Sequence, residues 1–171
     1  MSRTPDTIST LRDLLTRCRT LAVVGLSPQW HRPSYFAAKY MQAHGYRIVP
    51  VNPVVAREGG QILGETAYAG VAEAAAALAA QGAKIDMVDC FRKSEDIPPL
   101  AEEAIAIGAQ CLWLQLGVLN EEAVRRAESA GLRTVQNRCV KIEHARLFGG
   151  LGWMGVNTQV ISAKRLRQLP Y

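Results

Sequence analysis

The residues best suited to chemistry lie in one segment, Val24 to Tyr35, which reads VGLSPQWHRPSY. Ser27 and Ser34 supply hydroxyls, and Arg32 supplies a charged fork just ahead of Pro33, a residue fit for a first helical position. A helix starting there presents free N–H groups and the positive end of its dipole, which favour an anion. Four later segments repeat the theme. Asn52-Pro53 leads to Arg57 and the pair Gly59-Gly60, a combination suited to a phosphate or a nucleotide edge. Phe91, Arg92, Lys93 and Ser94 combine a flat apolar ring, two cations and a hydroxyl. Gly117 sits in QLGVLN (115–120), and Arg138 in NRCVKIEH (137–144). Each group has a plainer reading: Ser27 and Arg32 as helix caps, Asn52-Pro53 as a proline-rich turn, Arg92 and Lys93 as a solvated pair.

Patterns that would make an enzyme are missing. Gly25 stands alone, so the G-x-G-x-x-G fingerprint is not met, and Asn52 stands where a nicotinamide dinucleotide site uses an acid to hold ribose hydroxyls. There is no G-x-S-x-G elbow, P-loop or H-E-x-x-H. His31 and His144 are expected near the cleft, and His44 at a helix end. Cys139 beside Glu143-His144 raises the possibility of a Cys–His nucleophile for acyl transfer. On a helix of 3.6 residues per turn, His144 points about 140° away from Cys139, which favours a packed thiol. An NAD(P)-type oxidoreductase and a CoA-dependent acyl transferase therefore stand as the enzymatic alternatives to a binding protein.

The elements that must position these segments follow from hydrophobic patterning. Apolar runs at 21–26, 47–52, 85–91, 111–116 and 132–136 have the length and the Val/Ile/Leu content of strands buried on both faces. Helices are expected between and around them, at about 8–18, 33–44, 71–80, 95–107, 121–130 and 142–147. Ser94 and Asn120 are candidate N-caps, and Gly45, Gly82, Gly108 and Gly131 are natural stops. Strand–helix alternation at this spacing predicts an α/β fold, a Rossmann-like, three-layer, doubly wound parallel sheet of about five strands. Ligands of such sheets bind beyond the carboxyl ends of the strands, where strand order reverses. The five segments above all fall at such ends.

Composition narrows the partners. The chain has 171 residues, 49% of them hydrophobic, with 20 Lys+Arg against 15 Asp+Glu and a formal net charge of +5. That length supports one domain with a core that needs no disulfide. The surplus favours a polyanion, and no helix-turn-helix or stacking aromatic set points to nucleic acid. The four cysteines form no CxxC or zinc-like spacing. No apolar run approaches the roughly 18–20 residues that span a bilayer, and the first ten residues lack a signal-peptide core. A cytoplasmic protein without a membrane or nucleic-acid partner is expected. Residues 1–148 are expected to form the domain. Residues 149–171 are glycine-rich at first and acid-free, with Lys164, Arg165 and Arg167, and are expected to be a basic tail suited to a homo-oligomer or a protein partner.

The ordered motifs VVGLS, RPSY, GYRIVPVNP, ILGETAY, DMVDCFRKSE, WLQLGVLNEEA and NRCVKIEH resemble those of the stand-alone CoA-binding domain proteins of bacteria. These are similar to the N-terminal CoA-binding domain of the succinyl-CoA synthetase alpha subunit. The resemblance covers about residues 7–147. It implies coenzyme A or an acyl-CoA lying across the strand ends. Gly25, Ser27, Arg32 and Ser34 would serve the phosphate, Asn52, Pro53 and Arg57 the nucleotide, and Phe91, Arg92 and Ser94 the adenine or pantetheine. Gly117 would allow close passage of the chain, and Arg138 would complete the set. The family usually carries Asp where Asn137 stands, so a role for that carboxylate is not carried over. The synthetases place their phosphorylated histidine in a second domain, and ligase activity is not implied.

Overall fold

The computed structural model describes residues 7–149, so the expected tail, with Lys164, Arg165 and Arg167, lies outside the described residues. Helix α1 (Ile8–Arg17) starts where the Thr7 hydroxyl accepts from the Thr10 amide, and buries Leu11, Leu14 and Leu15. Strand β1 (Thr20–Val24) then leads through the Ser27–Arg32 turn into α2 (Pro33–Ala43), with Pro33 in its first turn as expected. Strand β2 (Arg47–Val51), α3 (Pro53–Arg57) and the short strands β3 (Gln61–Ile62) and β4 (Glu65–Thr66) follow. The remainder alternates: α4 (Val71–Ala79), β5 (Met87–Cys90), α5 (Ile97–Ala106), β6 (Cys111–Leu114), α6 (Glu121–Ser129), β7 (Arg133–Val135) and α7 (Val140–Phe148).

Five strands form one all-parallel sheet in the order β2-β1-β5-β6-β7. Side chains alternate between two cores. Ala22, Val24, Val88, Cys90, Leu112 and Leu114 face α4, α5 and α6, whereas Leu21, Val23, Met87, Cys111, Trp113 and Val135 face α1, α2 and α7. This gives the expected three-layer Rossmann-like α/β sandwich. From β1 the chain moves outward to β2, then returns to β5 and builds the other half. The order therefore reverses between β1 and β5, and a crevice opens there.

Three local expectations are corrected. Residues 53–57, read as loop, form α3, because the Asn52 side chain accepts from the Val54 and Val55 amides and Pro53 supplies a ready helical φ. Gln61–Thr66, not assigned from sequence, makes a two-stranded hairpin. It sits beyond edge strand β2, where Pro50 is tolerated because an edge strand does not need every N–H. Ser94 does not cap a helix. Pro98 and Pro99 delay α5 to Ile97, residues 94–96 form a 3-10 turn, and the Ser94 hydroxyl accepts from the Leu119 amide at 3.0 Å. The Asn120 cap is as expected, accepting from the Ala123 amide.

The amino ends of the central strands are tied by one buried acid. Asp86 accepts from the Arg19 and Thr20 amides at 2.9 and 3.0 Å, and from the Gln110 side chain at 3.0 Å. Asp86→Ala leaves these donors without their acceptor, and the expected loss in urea unfolding is about 2–4 kcal/mol. Asp86→Asn keeps an acceptor and loses less. A loss below about 0.5 kcal/mol in the Ala variant would remove this role.

Candidate functional site

Two cavities of about 630 and 640 Å³ adjoin at the carboxyl ends of β1 and β5. Both are lined by Gly25, Ser27, Arg92 and Asp96, so they form one bent cleft. The arm over β5 and β6 adds Gln29, Arg32, Ser34, Phe91, Lys93 and Gln115. The arm over β2 adds Asn52, Pro53, Val54, Val71, Leu100 and Glu103. Where the arms meet, Gly25 has φ +82°, and a Cβ there would stand 2.4 Å from the Phe91 carbonyl oxygen. No side chain fits in that space.

The turn after β1 is built from its own hydrogen bonds. The buried Ser34 hydroxyl accepts from the Ser27 amide, the Ser27 hydroxyl accepts from the Gln29 amide, and Arg32 Nε donates to the Gln29 side chain. Arg32 occupies the N-cap position of α2 without a side-chain cap bond, which leaves its guanidinium at the rim of the cleft. Asn52 is held from both sides. Its oxygen caps α3 and its Nδ2 donates to the Leu26 carbonyl, stitching the turn after β1 to that after β2. Arg92 pairs with Asp96 at 2.9 Å, both partly exposed, and Lys93 lies 3.9 Å from Glu95. These exposed pairs are weak and can yield their cations to a ligand anion.

Eight of the twelve residues picked from sequence line the cleft: Gly25, Ser27, Arg32, Ser34, Asn52, Pro53, Phe91 and Arg92. The other four line neither cavity. Arg57 is exposed at the end of α3. Ser94 is occupied by Leu119 and Asn120. Arg138 donates to Glu143, which also binds Arg146. Gly117 has open space where a Cβ would be, so its φ of +79° rather than close passage calls for glycine, and its amide donates to Asn137. The Ala69–Val71 turn was missed. Its signal was the start of α4 at Gly70, since helices that follow strands begin on the carboxyl side of the sheet.

Comparison with known proteins identifies the chain. The CoA binding domain family matches residues 19–145. The chain belongs to this family. Its relatives include YneT of Bacillus subtilis (strain 168), 36% identical over 135 residues, which span 79% of this chain and 92% of YneT. A hypothetical protein from Pyrococcus horikoshii OT3 superposes with a TM-score of 0.75 at 36% identity, covering 87% of this chain and all of that one. Prb, the PH1109 protein redesigned for binding, gives 0.76 at 34% identity, covering 85% and 94%. The family match and these neighbours agree with the Rossmann-like architecture.

The expectation that His144 lies near the cleft is corrected. It packs on Tyr40 and His44 in and after the last turn of α2, at the amino ends of the strands, with Nδ1 3.1 Å from the Tyr40 hydroxyl. Burial, then the charges of His44 and Arg19, holds its imidazole below the ordinary histidine range. Glu143 is engaged by Arg138 and Arg146, and burial raises the Cys139 thiol above its ordinary value. These features oppose a Cys139–His144 nucleophile pair. Among the described residues no helix is long and apolar enough to cross a membrane.

Beneath the β5–β6 arm lies a group the sequence did not flag. Asp89 is 1% exposed, and its Oδ1 accepts from Gln115 Nε2 at 2.6 Å. Burial pushes its carboxyl up to about 7, against the opposing pull of the Gln115 bond. The unfolded carboxyl ionises in the usual range near 4. Asp89 therefore contributes stability that is fully present below about pH 4 and lost as pH rises through about 7. Asp89→Asn is expected to be more stable than the parent near pH 8. The gap should shrink by roughly 2–3 kcal/mol on going to pH 5. Urea unfolding at the two pH values checks this, and parallel pH profiles for the two proteins would contradict it.

Proposed function

We propose that this protein binds coenzyme A, or an acyl-CoA, along the bent cleft, and performs no chemistry of its own. Membership of the CoA binding domain family supports the ligand class. The observation that carries the reading is the unequal chemistry of the two arms. One arm brings Arg32 and Ser34 at the start of α2 and Lys93 after β5 to the shared Ser27 and Arg92, a setting suited to the diphosphate and 3′-phosphate. The other sets Val51, Pro53, Val54, Val71, Pro99 and Leu100 beside the carboxylates of Glu95 and Glu103, a wall that suits a base and disfavours phosphate. Gly25 at their junction lets a ligand lie against the backbone.

Two features weigh against the enzymatic alternatives. The Asn52 side chain, where a ribose-binding acid would stand, is committed to α3 and Leu26. Cys139 sits in surroundings that suppress its thiolate. A reducing, cytoplasmic setting fits four free cysteines, three of them buried.

Calorimetric titration with CoA, and with ADP and NAD in parallel, tests this reading. CoA is expected to bind best. Arg32→Ala should weaken it by about 1.5–3 kcal/mol, the range for a charge-assisted hydrogen bond. No heat at millimolar CoA, or tighter binding of NAD than of CoA, would refute the proposal.

A further inference from the structure

Asp89 and Gln115 are neighbours on the central strand and just past the next one. Asp89 registers with Val23 of β1 and Trp113 of β6, and Gln115 follows β6 directly. Both side chains are almost fully buried, at 1% and 4% exposure, yet Gln115 also lines the cleft. The amide nitrogen of Gln115 is committed to Asp89 Oδ1. That leaves the amide oxygen without a partner among the described residues, and Asp89 Oδ2 likewise. A purely structural buried amide is normally satisfied at both ends.

We propose that Asp89 is a positioning residue that holds the Gln115 amide with its oxygen toward the cleft. Gln115 is then the acceptor for a neutral hydrogen-bond donor on the ligand, an amide N–H of the pantetheine kind. This rests on the CoA reading and deepens it by giving the ligand a direction. An acceptor above a buried carboxylate repels phosphate, so the anionic part of the ligand stays with Arg32 and Arg92, and the neutral arm runs over Gln115, Leu116 and Val118.

The pair has a second state. When Asp89 is protonated, its O–H needs an acceptor, and a buried hydroxyl left without one is costly. The Gln115 oxygen answers that need if the amide turns over, which points its NH2 group into the cleft. Donor then faces donor, and the ligand is held less well. The carboxyl's own shift comes from burial and the Gln115 bond, with a midpoint of about 7. The groups that sense its charge are the Cys90 thiol on the same strand and the Cys139 thiol ahead of α7. Its register neighbours Val23 and Trp113 do not titrate.

The test has two readouts. In the ligand-free protein, the side-chain amide nitrogen of Gln115 is followed by NMR from pH 5.5 to 8.5. One transition near neutrality is expected in the parent and none in Asp89→Asn. Affinities for CoA and dephospho-CoA are then measured at pH 6 and pH 8. The second ligand lacks the phosphomonoester that itself titrates near 6. Both are expected to bind the parent more weakly at pH 6, by up to about tenfold, the limit that linkage to one proton with a midpoint near 7 sets. Asp89→Asn should show no such drop. Gln115→Leu should bind CoA about tenfold more weakly than the parent at pH 8, also without the drop. A Gln115 amide that does not titrate, or an equal pH dependence in the parent and Asp89→Asn, overturns the proposal. If neither ligand binds at either pH while Gln115 still titrates, the CoA reading fails and the ligand half of the proposal with it, and the Asp89–Gln115 coupling stands.

Discussion

The site depends on one close approach, between Gly25 and the carbonyl of Phe91. β1 and β5 are hydrogen-bonded neighbours, and the Phe91 amide donates to the Val24 carbonyl just beyond their last paired residues. The chain after β1 must turn toward α2 on one face of the sheet, while the chain after β5 turns toward α5 on the other. The two turns part at the point where they are still in contact. A left-handed φ without a Cβ meets both demands at once. The cleft is the space left between the diverging turns, and everything that lines it is placed by the direction in which each turn leaves.

Most of the architecture was legible because a parallel sheet buried on both faces writes itself as continuous apolar runs. Segments such as LAVV and CLWL have no polar alternation to obscure them, and the helices between them carry plain start signals, Pro33 in the first turn of α2 and Asn120 as the cap of α6. Elements that do not belong to that repeat were not legible. The five residues of α3 are too few to show a period, and the two-residue strands β3 and β4 are fixed by their place beside β2 rather than by their own pattern. Ser94 misled because its type fits a cap, while the two prolines that follow shift the helix onward.

The candidate site divides along a similar line. Residues immediately after a strand, such as Gly25, Asn52 and Phe91, reach the cleft because the strand delivers them there. Residues further along a turn, such as Arg57 and Arg138, are placed by local contacts that spacing does not reveal. Asp89 and Gln115 were hidden for another reason. Each sits within or beside an apolar run, where a single polar residue reads as noise, and only the pairing of β5 with β6 brings them together. The cations divide in the same way: Arg32, Arg92 and Lys93 ring one arm of the cleft, while Arg138 serves Glu143. The formal net charge of +5 is thus divided: Arg32, Arg92 and Lys93 line the cleft, whereas Lys164, Arg165 and Arg167 fall outside the described residues.

The central claim is that CoA occupies the crevice at the carboxyl ends of β1 and β5. Backbone amide shifts recorded during a CoA titration of the isotope-labelled protein test it most directly. The account predicts saturable shifts concentrated at Gly25, Ser27, Ser34, Asn52, Arg92 and Gln115, with Tyr40, His44 and His144 at the opposite end of the sheet unchanged. Shifts centred on that opposite end, or none at millimolar CoA, would contradict it.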